Sequence, residues 1–194
     1  MEKDTVMIFS RRAVMRHGAR MGALAAATTL AACTVTTSGS TTTVTLDVAK
    51  VRAYGQAGLN AAATVMDFLA PLPGLAPYVA GIRTACAGLS GALGAFSAAV
   101  GPALAVSYDD ATWKTLVNSI LSDMGAVSSA IAAAIQGGGS TFSASVGADA
   151  TTALNALDTL INLFSGVLGL AGAALTPGQP RMTERQALKI LGVG

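Results

Sequence analysis

Of the 194 residues, 40 are Ala and 22 are Gly, so nearly a third of the chain carries no side chain larger than a methyl group. Charged residues make up 11%, aromatics 5%, and mean hydropathy is +0.58. That hydropathy argues against disorder, two cysteines exclude a disulfide scaffold, and a formal net charge of +2 falls well short of a nucleic-acid binder's basic surface. The length suits a single domain with a sizeable core.

The first stretch of the chain is the most informative. Arg11, Arg12, Arg16 and Arg20 precede a modest apolar run from Met21 to Ala32, the order of charge and hydrophobicity found in export signals. The run ends in Leu30-Ala31-Ala32-Cys33. This tetrapeptide resembles the lipobox of bacterial lipoproteins, in which the Cys thiol receives diacylglycerol and the peptide before it is removed. The resemblance implies a signal peptide over residues 1–32, lipidation at Cys33 and a membrane held through that lipid. Ser10-Arg11-Arg12 resembles the twin-arginine export motif, although Val14 stands where that motif usually has Phe and no Lys follows closely, so the general and twin-arginine routes both stay open. Thr34 follows the Cys in place of the Asp that retains such lipoproteins at the inner membrane. The resemblance therefore favours the periplasmic face of the outer membrane.

Removing residues 1–32 would take away five of the twelve basic residues and only Glu2 and Asp4 of the acidic ones, leaving a slightly acidic chain of net charge −1. The only histidine, His17, would leave too. The remaining chain has no imidazole and, beyond Cys33, one thiol, Cys86, so neither a metal site nor an intrachain disulfide is expected.

Residues 33–45 hold the lipobox Cys and an uncharged, Thr/Ser-rich stretch. They read as a disordered tether, the twelve residues after Cys33 spanning at most roughly 40 Å. An edge strand is the competing reading of its Thr/Val alternation, but no second clear strand offers itself as a partner.

Four long segments follow. Over about 46–69, Val48, Val51, Gly55, Gly58, Ala62, Val65 and Leu69 recur at steps of three and four opposite a polar face, predicting an amphipathic helix that ends at Pro71 and Pro73. Over about 79–106, Ile82, Cys86, Leu89, Leu93, Phe96 and Val100 form one bulky seam, and Gly88, Gly91 and Gly94 lie among the small residues that cover the rest. Over about 109–136 the seam is Trp113, Val117, Ile120, Met124, Val127 and Ile131, with Ser107 and Asp110 as a capping pair. Over about 149–175, Leu154, Leu157, Ile161, Phe164 and Leu168 form one seam, Leu160, Leu163, Val167 and Leu170 a second, and Gly166, Gly169 and Gly172 continue a third, polar stripe. Residues 177–194 read as a tail with a short basic helix after Thr183. Matched lengths and short connections predict an all-α, up-down four-helix bundle over 46–176.

The competing reading is insertion in a bilayer. Residues 84–107 and 159–180 are free of charge and long enough to cross, which would make helices 79–106 and 149–175 a membrane-inserting hairpin of the pore-forming or lysis type. Against it, the second helix keeps its bulk on one seam, as a water-facing helix does. The glycines of both helices mark a face for close helix packing or for a partner.

No catalytic, cofactor-binding or metal-binding residue stands out. There is no phosphate-binding or dinucleotide-binding glycine pattern. Lys50, Lys114 and Lys189 lie in no catalytic motif, and the acids of Ser107-Tyr108-Asp109-Asp110 suit a helix start. The sequence thus predicts a non-enzymatic, lipid-anchored envelope protein with a structural or interaction role, an envelope protein as partner, and neither nucleic acid nor small-molecule substrate.

Overall fold

The computed structural model describes residues 28–30, 33–38, 41–169 and 182–193; most of the leader, including Arg11, Arg12, Ala31 and Ala32, and the stretch holding Leu170 and Gly172 lie outside the described residues. The chain is mostly helical, with a small antiparallel sheet. Its elements in order are β1 (Thr28–Leu30), β2 (Cys33–Ser38), β3 (Thr41–Asp47), α1 (Val48–Leu69), α2 (Ala76–Val100), β4 (Ala105–Ser107), α3 (Ala111–Gly138), α4 (Ala144–Val167) and α5 (Glu184–Ile190). Single 3-10 turns, Pro73–Leu75 and Gly139–Thr141, precede α2 and α4.

The stretch expected to be a disordered tether is instead paired into a sheet. Residues 33–38 and 41–47 are strands, and the sheet runs in the order β1-β2-β3-β4. Cys33 pairs with Leu46, and Leu46 pairs in turn with Val106. The β-branched Thr and Val residues that alternate here favour a pleated surface. Their partner strand, β4, falls where the second helix was expected to run on to 106. That helix instead stops at Val100, because Gly101 takes φ +56° and Pro102 follows, and neither continues a helix.

The remaining ends have equally local causes. Asp47 is extended, and its carboxylate accepts the Lys50 N–H at 3.1 Å to start α1. Asp110 alone caps α3, accepting the Thr112 N–H at 2.8 Å, whereas Ser107 belongs to β4 and contributes only its carbonyl, to the Asp110 N–H at 3.4 Å. The fourth helix begins at Ala144 rather than 149, since Ser143 accepts the Val146 N–H, and its described part ends at Val167, before Gly169 at φ +67°. Thr183 starts α5 with a reciprocal capping box to Gln186.

The long helices share one core. The first packs against the other three, the second and third pack together, as do the third and fourth, and α5 lies against α4 and α1. All seven residues of the stripe from Val48 to Leu69 are buried, and Tyr54, Ala57 and Ala61 widen it. Tyr54 meets Phe164 edge to face at 5.4 Å between ring centres, and Phe96 meets Trp113 likewise at 6.4 Å. Among the described residues no polar or charged residue is buried.

Candidate anchor site and contact faces

Cys33 is the first residue of β2, backbone-paired on one side with Leu30 of β1 and on the other with Leu46 of β3. Leu46 is fully buried and Val106 nearly so, and both belong to the core cluster. The candidate anchor thus sits in register with residues rooted in the helical body, rather than at the far end of a loose tether.

Glycines predicted to mark contact faces separate into two groups. Gly91, Gly94, Gly166 and Gly169 are exposed, and a Cβ added at any of them meets nothing within 4 Å. Only Gly88 approaches another helix, its added Cβ lying 3.5 Å from the Asp123 carboxylate of α3. Close approach inside the domain is made instead by Gly55 and Gly58 on α1, where the added methyl would collide with Leu93 and, at 2.8 Å, with Leu89. The spacing puts Gly55 and Gly58 on the buried stripe of α1, which is the signal that separates them from the glycines of α2.

From Thr84 to its end, the exposed residues of α2 are small and uncharged, with Arg83 the exposed charge before them. Among the described helices, Pro73–Val100 and Ala111–Gly138 are long and apolar enough to cross a membrane, each with a mean hydropathy of 1.3, and 22% and 33% of the most apolar window is buried. The expected pair is 79–106 with 149–175; α3 takes the place of the expected fourth helix, whose residues 170–175 lie outside the described ones.

Polar groups mostly serve structure. The Tyr108 hydroxyl donates to Asn118 Oδ1 at 2.8 Å, with Lys114 Nζ 5.8 Å from the Tyr108 ring centre. Asp110 is occupied as a cap. Among the described residues no group of three His, Cys, Asp or Glu could hold a metal ion. Cys86 is half-buried, and burial pushes its thiol above its ordinary value, disfavouring the reactive thiolate. A cavity of about 480 Å³ lies where α1 turns into α2, walled by Met66, Leu72 and Val79 with Asp67 and Arg83 beside them.

One exposed residue was not foreseen as a contact. Leu104 is 87% exposed, and its backbone carbonyl accepts the Val48 N–H at 3.1 Å. The sequence signal for it was Gly101-Pro102, which expels Leu104 from the helical seam.

No family model, no curated protein and no solved structure matches the chain.

Proposed function

We propose that this protein is a bacterial envelope lipoprotein: exported, cleaved before Cys33, anchored through lipid on that thiol, and serving a structural or interaction role without catalysis. The observation that carries the reading is Leu30-Ala31-Ala32-Cys33 at the end of a basic and then apolar leader. Cleavage would remove β1 and leave Cys33 as the first residue of β2. The residue after it, Thr34, favours the periplasmic face of the outer membrane by the same resemblance. The contacts of each long helix with its neighbours in the chain, and of the fourth with the first, support an up-down four-helix bundle as the carried domain. The mature chain has no histidine, which leaves no imidazole for acid–base work. Its uncharged small-residue surfaces suit contact with an envelope protein.

The test is incorporation of labelled fatty acid into wild type and Cys33→Ala. Label in wild type alone supports the anchor; equal label in both, or label in neither, overturns it.

A second reading, membrane insertion, is favoured by the two apolar helices, now α2 and α3. Alkaline carbonate washing of Cys33→Ala, exported by a non-lipoprotein signal, separates the two. Release supports the anchored bundle, and retention supports insertion.

A further inference from the structure

Among the described residues the two large hydrophobic side chains left exposed are Leu104 at 87% and Ile190 at 44%. Leu104 is not exposed through looseness. Its carbonyl is bonded to the first amide of α1, the next residue enters β4, and Ala105 pairs with Asp47. Ahead of it Gly101, Pro102 and Ala103 are all exposed and uncharged, and the Ala103 N–H is held by the Val100 carbonyl at 3.2 Å. A clamped backbone thus presents a bulky apolar side chain at the end of an uncharged loop.

The sheet register says what lies beside it. Cys33, Leu46 and Val106 form one row across β2, β3 and β4, and Leu104 lies two residues beyond that row. With strands spaced about 4.8 Å apart and a rise of about 3.4 Å per residue, Leu104 is on the order of 12 Å from Cys33. We infer that this end of the domain, with Leu104 exposed on it beside the start of α1, rests on the lipid surface to which Cys33 is anchored, so that the helices stand end-on to the membrane. The inference rests on the anchor reading of Cys33.

Charge at this end is compatible with that seat. The Asp47 and Asp110 carboxylates are engaged as caps on the amides of α1 and α3. Lys50 lies 3.8 Å from Glu184, and Lys114 lies over the Tyr108 ring, so cations stand one turn from each capping acid; Asp109, exposed as the two capping acids are, stays in the aqueous layer. Ile190 belongs elsewhere. Its neighbour Leu191 is bonded to Asn60, about 18 Å along α1 from Val48.

The test uses the full chain, processed and lipidated in a bacterial host and reconstituted in vesicles of zwitterionic lipid with brominated acyl chains. Trp113→Phe removes the only tryptophan. In that background Leu104→Trp and Gly91→Trp each place a single reporter, at the end of the loop before β4 and on the outward face of α2. Circular dichroism identical to wild type checks folding, and labelled fatty acid checks the anchor on the same samples. For a side chain seated at the headgroup and acyl boundary, fluorescence at position 104 should fall by about half or more, and at position 91 by about a tenth or less. Lipidated protein with no quenching at 104 overturns the docking and leaves the anchor standing. Equal quenching at both positions means that α2 lies along or within the membrane, which also overturns it. Absence of fatty-acid label overturns the anchor, and the docking with it.

Discussion

The Ser128 hydroxyl of α3 donates to the Asp158 carboxylate of α4 at 2.5 Å. It is a polar link between helices whose shared core, among the described residues, buries no charged side chain. Both partners are half-buried, so loss of the donor leaves a carboxylate only partly compensated by water. Ser128→Ala is expected to lower stability by about 1–2 kcal/mol. Urea unfolding should show a lower midpoint with an unchanged slope.

The glycines of α1 and α2 should respond in opposite directions to the same substitution. At Gly58 an added methyl lies 2.8 Å from Cδ2 of the fully buried Leu89, with Leu157 and Met124 at 3.7 Å. Gly58→Ala is expected to cost about 1–3 kcal/mol through overpacking, exceeding its helix-propensity gain. At Gly91 and Gly94 nothing lies within 4 Å, so each Ala should add about 0.5–1 kcal/mol. Thermal unfolding resolves these signs, since about 1 kcal/mol moves the midpoint by roughly 2–4 °C at this size.

That contrast also shows what could be read from the sequence. The stripe from Val48 to Leu69 was legible because seven residues at helical spacing all face the core. The surroundings of Gly91 were not, because a glycine on a helix looks the same whether a neighbour or solvent faces it. The sheet was hidden for another reason: β2 and β3 are mostly uncharged Thr, which suits a tether as well as a strand, and β4 is three residues long inside an apolar run. Strand pairing over some sixty residues is a non-local fact. In contrast, the lipobox and the charge asymmetry of the leader are local patterns, visible without any fold.

Asn60 ties α5 to the body of the domain. Its Nδ2 donates to the Leu191 carbonyl at 2.8 Å while its Oδ1 accepts from Gln56 Nε2 at 2.9 Å. Asn60→Ala should release α5 locally before the long helices. Loss of one such bond, about 1 kcal/mol, predicts roughly fivefold faster amide exchange in residues 184–191 with little change in α3.

The Cys86 thiol supplies a pH prediction. Burial raises its folded value, so the native state holds the proton more tightly than the unfolded chain does. Its contribution to stability is therefore full below the unfolded thiol value, about 8.5, and is lost as pH rises through the higher folded one. Modification by a disulfide reagent at pH 8 should be slow in native Cys33→Ala protein and fast in urea. Equal rates would show that Cys86 is neither shielded nor shifted.

The central claim is the covalent state of Cys33, and mass spectrometry of the mature N-terminal peptide reads it directly. The account predicts a chain beginning at Cys33 with diacylglycerol on its Sγ, and an unprocessed leader in Cys33→Ala. A mature wild-type chain that begins elsewhere, or that begins at Cys33 with an unmodified thiol, would contradict it.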